Sequence, residues 1–200
     1  MSLGTDLIGR GISIQDDFVS CGQVQGLIEC LEVRRARGGF AAARIGAGQS
    51  VQLREDIRGD SICWINPPLL AAEARLLESF EQLRMQLNRE AFLGLFELEL
   101  HYAAYPAGSG YARHVDQPRG KNRRKVSLVL YLNREWNRGL GGELRLFGEA
   151  DPPTDVLPLA GRLVCFLTEG REHCVLAASK ERLSITGWFG TRDDALGPDR

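Results

Sequence analysis

Residues 96–116 read FELELHYAAYPAGSGYARHVD, and the fold turns on the first eight of them. Phe96, Leu98, Leu100 and Tyr102 alternate with Glu97, Glu99, His101 and Ala103, the period of two expected of a strand. Upstream the period is helical. Ser20 followed by Gln23 is a capping-box pattern, and Val24, Leu27, Ile28 and Leu31 recur at helical spacing before Gly38-Gly39. A second helix is predicted after Asn66, with Pro67-Pro68 in its first turn and Leu69, Leu76, Leu77, Phe80, Leu83 and Leu87 as its apolar stripe. Downstream, β-like runs follow at 125–132, 143–147, 162–167, 173–177 and 182–189, separated by Gly-, Pro- and Asp-bearing turns. Helices followed by several short strands predict one α+β domain over 1–200, with helical support over about 12–95 and a β-barrel or jelly-roll core over about 96–190.

Composition narrows the function classes. The 200 residues are 44% hydrophobic and 26% charged, enough for one sizeable core. A net charge of -1 gives no electrostatic reason to expect nucleic acid or an anionic membrane as the main partner. No apolar run approaches the roughly 18 residues needed to span a bilayer, and MSLGTDLIGRG lacks the pattern of a signal peptide, so a cytoplasmic protein is expected. Five cysteines (Cys21, Cys30, Cys63, Cys165, Cys174) without CxxC spacing argue for free thiols rather than disulfides or a cysteine zinc site.

The chain has three histidines, and His114 lies two residues before Asp116. On an extended strand both side chains point to one face and can reach one ion. His173 is the natural third ligand. Two imidazoles and one carboxylate on one face leave three octahedral positions for oxygen and a chelating co-substrate. HxD alone is a weak signal, and Arg182, nine residues after His173, strengthens it. That span suits a strand, a turn through Ala178-Ser179-Lys180-Glu181 and the start of the neighbouring strand, where a guanidinium could grip the far end of a dicarboxylate. A zinc hydrolase or a non-catalytic cupin-like module could use the triad but would not need Arg182. His101 shares strand parity with Tyr105 and is expected to be a satisfied histidine or one lying behind the ligands.

These residues resemble the 2-oxoglutarate/Fe(II)-dependent oxygenases, in particular the prolyl 4-hydroxylases and the hypoxia-inducible-factor prolyl hydroxylases among them. DIRGDSICWI at 56–65, YPAGSGYARHVDQP at 105–118, YLNREW at 131–136, GGELRLF at 141–147 and HCVLAASKERLSITGWF at 173–189 carry the likeness. The resemblance implies a double-stranded β-helix, with His114, Asp116 and His173 as iron ligands and Arg182 on the 2-oxoglutarate C5 carboxylate. It also implies Tyr131 on that carboxylate and Tyr105 near the metal-chelating end, while Thr186 and Trp188 share strand parity with Arg182. Arg58 and Asp60 belong to a segment expected, with the loop at 46–55, to cover a peptide substrate. Arg113, Lys121, Arg123, Arg124 and Lys125 read either as a solvated loop or as a docking surface, with Arg113 as a candidate substrate contact. The implied reaction hydroxylates a prolyl residue of a protein, with elongation factor Tu as a first candidate partner. It consumes Fe(II), 2-oxoglutarate and dioxygen, with ascorbate as a possible reductant. An oxygenase acting on a free amino acid or small molecule is the alternative.

Overall fold

A computed structural model describes residues 3–44, 54, 57–116, 123–148 and 152–192. Three helices, α1 (Leu3–Arg10), α2 (Cys21–Ala36) and α3 (Ala71–Ala91), support eleven strands. The strands are β1 (Ile12–Gln15), β2 (Ala41–Ala42), β3 (Ser61–Trp64), β4 (Glu97–Tyr105), β5 (Tyr111–His114) and β6 (Arg124–Tyr131). They continue with β7 (Leu144–Leu146), β8 (Thr154–Val156), β9 (Leu163–Leu167), β10 (His173–Val175) and β11 (Arg182–Gly190). All pair antiparallel, in a seven-stranded sheet ordered β1-β9-β6-β11-β4-β3-β2 and a four-stranded sheet ordered β5-β10-β7-β8.

Strand alternation divides the large sheet into a structural face and a chemical face. Leu100 and Tyr102 of β4, Val126, Leu128 and Leu130 of β6, Leu163 and Cys165 of β9, and Ile185 and Phe189 of β11 bury themselves against the helices. Val24, Leu27 and Leu31 of α2 and Leu76, Phe80, Leu83 and Leu87 of α3 meet them there. Residues of the other parity turn toward the small sheet, where Val129, Tyr131, Leu144, Leu146, Val156, Val164 and Phe166 form a second core. Burying such side chains contributes about 1.5–3 kcal/mol each and clamps the two sheets into a jelly roll. Gly187 is required where β11 meets β4, since a Cβ there would collide with the Glu99 carbonyl oxygen.

The double-stranded β-helix and its strand runs are found as the sequence predicts, with corrections at the helical end. Three helices precede β4, because Leu7 of the added α1 is completely buried. Helix α3 begins at Ala71 and leaves Pro67-Pro68 and Leu69 outside. Glu73 fixes that start by accepting the Leu70 N–H at 2.9 Å. The same carboxylate, fully buried, accepts Arg34 Nε at 2.6 Å and the Tyr102 hydroxyl at 3.2 Å, tying α3 to α2 and the sheet. The supporting region also holds β1, β2 and β3, each of which extends the large sheet. The Ser20–Gln23 capping box is present, and all five cysteines are free.

Candidate active site

One cavity opens between the sheets, and most of the sequence-predicted site residues line it. His114 ends β5 and His173 begins β10, and the two are direct cross-strand partners. Asp116 follows His114 by two residues, so its Oδ1 comes to 3.5 Å from His114 Nε2 and 3.4 Å from His173 Nε2. Ligand atoms of the three side chains all lie within 4.8 Å of one another. Each histidine directs Nδ1 at a main-chain carbonyl, Ala112 O at 2.8 Å for His114 and Arg171 O at 3.1 Å for His173. An Nδ1–H bound in this way leaves Nε2 as a lone pair facing the centre. Burial would raise the Asp116 pKa, but hydrogen bonds with His114 and His173 outweigh it and hold the carboxyl well below its usual range.

The surroundings fix these ligands. Asp116 Oδ2 accepts from Ser127 Oγ at 2.7 Å and from Trp188 Nε1 at 2.9 Å, and Ser127 Oγ is 3.0 Å from Thr168 Oγ1. Tyr111 stacks on the His114 ring at 3.5 Å, and Phe166 presents an edge-on contact to His173 at 4.8 Å. Ser127 was detectable from sequence, since it has the parity of Tyr131 in KVSLVLY; nothing local marks Thr168.

Arg182 enters from the opposing large sheet, which corrects the expectation of a strand neighbouring that of His173. The chain crosses between layers after β10, so the guanidinium faces the triad across the cavity. Arg182 is 2% exposed, and its Nε donates to Gly142 O at 2.9 Å. Gly142 adopts φ +78°, a conformation that disfavours a side chain. The guanidinium lies 5.0 Å from the Tyr131 ring and 5.3 Å from the Tyr105 ring. Among the described residues no carboxylate pairs with it, and the buried Tyr131 hydroxyl has no hydrogen-bond partner. A buried cation beside an orphaned hydroxyl suits an entering carboxylate, and the donor set of two imidazoles and one carboxylate suits Fe(II). The residues present therefore fit both groups.

Thr186 and Trp188 line the cavity with Arg182, as parity requires. Arg58 and Asp60 also line it, paired through Nε–Oδ1 at 2.7 Å and Nη2–Oδ2 at 3.0 Å, with Arg58 over the Tyr111 ring at 4.8 Å. The expected covering loop at 46–55 lies outside the described residues apart from Arg54. Arg113 does not reach the cavity: it has the opposite parity to His114, pairs with Glu172 and lies 3.9 Å over the Phe147 ring. Within the basic stretch, Lys121 also lies outside the described residues, Arg123 pairs with Glu97 at 2.7 Å, and Arg124 pairs with Glu99 at 2.6 Å while covering the Trp188 ring at 3.6 Å. His101 lines the cavity with neither ring nitrogen partnered among the described residues, so of the two expected readings the satisfied histidine does not hold, while its ring packs against Trp188, which donates to the ligand Asp116.

Residues 100–190 match the family model described as 2OG-Fe(II) oxygenase superfamily. The chain is 32% identical over 195 residues to human Egl nine homolog 1, across 92% of this chain and 45% of that protein. It is 30% identical over 191 residues to human prolyl hydroxylase EGLN3, across 90% of this chain and 78% of that protein. It thus spans about half the length of the Egl nine homologs. A crystal structure of a Pseudomonas putida prolyl-4-hydroxylase is 42% identical, with a TM-score of 0.86 over 95% of this chain and 97% of that one. A Trichoplax adhaerens prolyl hydroxylase, solved with a hypoxia inducible factor oxygen degradation domain peptide fragment, is 25% identical, with a TM-score of 0.87 over 98% and 91% of the two chains. Matched along nearly its whole length by such proteins, and carrying the triad and Arg182 in one cavity, the chain belongs to the prolyl hydroxylase family of the Fe(II)- and 2-oxoglutarate-dependent oxygenases.

Proposed function

We propose that this protein hydroxylates a prolyl residue in a protein substrate, at C4 of the ring, coupled to conversion of 2-oxoglutarate to succinate and carbon dioxide. The observation that carries the reading is the buried, carboxylate-free Arg182 facing the His114–Asp116–His173 triad across one cavity. When bound, Fe(II) with 2-oxoglutarate and dioxygen supplies the oxidising power to break an unactivated C–H bond. The protein binds, orients and excludes water.

His114, Asp116 and His173 would hold the iron on one side, with Ser127 and Trp188 fixing the orientation of Asp116. Arg182 and the Tyr131 hydroxyl would take the distal carboxylate, which leaves the keto-acid end directed at the triad. Val129, Leu144, Phe166 and Val175 give the same cavity apolar walls, so charges inside it are screened less than in water. Arg58 and Asp60, which also line the cavity, would contact the incoming peptide. Arg113 then belongs to the surrounding surface rather than to the reacting centre.

The test is a side-by-side assay of purified protein with Fe(II), 2-oxoglutarate and air on elongation factor Tu, a hypoxia-inducible-factor degradation-domain peptide and free L-proline. Succinate release coupled to a gain of one oxygen on a prolyl residue of a polypeptide is expected. Turnover confined to free proline, or modification of another residue type, would assign the site to the small-molecule class instead.

A further inference from the structure

The metal end of the cavity holds a side chain that the reaction described above leaves unused. His101 of β4 has the parity of Ala103 and Tyr105 and lines the cavity with them. Its partner across to β11 is Thr186, whereas Tyr105 pairs with Arg182, so His101 stands four residues, roughly 13 Å, along the sheet from the co-substrate anchor. On one side lies the ring of Trp188, at 5.5 Å, whose indole holds Asp116. On the other, at 5.0 Å, lies Trp64, 42% exposed. His101 therefore lies between the metal centre and the outside.

The imidazole is 1% exposed, and among the described residues neither Nδ1 nor Nε2 has a hydrogen-bond partner. Buried polar groups are nearly always paired, and an unpaired one weakens a fold. Two unpaired, enclosed nitrogens on a side chain of the cavity wall therefore mark a group kept for what enters the cavity. Burial, reinforced by the charge of Arg58, pushes the His101 pKa down to about 4, so the ring is neutral near pH 7. A neutral imidazole offers one N–H donor and one lone pair. A carboxylate only accepts and would leave the second nitrogen unmet, whereas a peptide main chain presents carbonyl acceptors and N–H donors together.

Resting on the prolyl reading above, we propose that His101 is a substrate-contact residue that hydrogen-bonds main-chain amide groups of the peptide carrying the target proline. Its place suits this role, because the co-substrate runs from Arg182 to the triad and His101 lies four residues along β4 from the Arg182 row, beside the partly exposed Trp64.

The test compares wild type, His101→Leu and His101→Gln with elongation factor Tu and the end-blocked degradation-domain peptide as substrates. Loss of one neutral hydrogen bond is expected to raise the KM of His101→Leu for the polypeptide roughly 2- to 12-fold. Its 2-oxoglutarate dissociation constant and manganese(II) affinity should be unchanged, and its melting temperature equal or higher, since an unpaired polar group has been removed. His101→Gln, which restores a donor and an acceptor, is expected to return KM to within about 2-fold of wild type. An unchanged polypeptide KM in His101→Leu, or a weakened co-substrate affinity in its place, overturns the proposal. Wild type that modifies neither polypeptide refutes the prolyl reading itself, and that result is visible before any variant is compared.

Discussion

Replacing Arg182 by alanine should remove most of the 2-oxoglutarate affinity, and the size of the loss follows from what the guanidinium has left to give. Its Nε is committed to Gly142 O, and its Nη1 reaches Ser184 Oγ only at a long 3.5 Å. The terminal N–H groups are therefore available to a carboxylate in a buried site, where a charge-assisted contact contributes about 1.5–3 kcal/mol. That corresponds to roughly 10- to 150-fold weaker binding. Arg182→Lys keeps the charge but loses the planar fork, so an intermediate loss is expected. Arg182→Met fills most of the volume and removes a buried cation that has no carboxylate partner among the described residues, so its melting temperature should not fall. Anaerobic calorimetry of 2-oxoglutarate binding to the manganese(II)-loaded protein reads these constants directly. An unchanged dissociation constant in a folded Arg182→Ala protein would show that the co-substrate is anchored elsewhere.

The remaining predictions bear on the metal, the Arg58–Asp60 pair and the helical support. His114→Ala, Asp116→Ala and His173→Ala should each abolish stoichiometric iron(II) or manganese(II) binding while the circular dichroism spectrum is retained; wild-type metal affinity in any one removes that residue from the ligand set. Ser127→Ala should lower metal affinity by about 10-fold or more through a loosened Asp116, with Ser127→Thr restoring it, and calorimetry with manganese(II) decides. Arg58→Ala or Asp60→Ala should raise the KM for a polypeptide substrate more than that for 2-oxoglutarate, and equal changes in both would detach the pair from substrate capture. Glu73→Ala should cost about 3 kcal/mol, or roughly 6–12 °C in melting temperature, by stranding Arg34 and uncapping α3. Burial would raise the Glu73 pKa, but Arg34 outweighs it and lowers it, so this contribution is present above the unfolded value near 4.5 and is lost as pH falls through the folded one. Wild type should accordingly lose more stability than Glu73→Ala as the medium is acidified below that value, and parallel losses would refute the assignment.

The parts of the molecule governed by short-range periodicity were legible in the sequence. The alternation beginning at Phe96 marked β4, and the same parity rule placed Thr186 and Trp188 in the cavity with Arg182. In β4 the polar face that an isolated strand would give to water instead faces the second sheet, and this is why His101 ends buried rather than solvated. Properties that depend on three-dimensional approach were not legible. The opposite-sheet position of Arg182 follows from a layer crossing after β10 that no local pattern specifies, and Thr168 meets Ser127 across 41 residues of chain. Arg113 stands apart from the cavity because one residue from His114 on a strand is the opposite face, which proximity to HVD in sequence does not convey. The start of α3 was misjudged because two prolines resemble a first turn, while the cap that fixes it is the side chain of Glu73, set by its contact with Arg34.

The most direct test of prolyl oxygenation at this site is incubation of the metal-loaded protein with 2-oxoglutarate, elongation factor Tu or the degradation-domain peptide, and isotopically heavy dioxygen, followed by fragmentation mass spectrometry. One heavy oxygen atom on a prolyl ring, one succinate formed per modified residue, and loss of both in Asp116→Ala are expected. Unlabelled product, label on a residue other than proline, or full labelling by Asp116→Ala would contradict it.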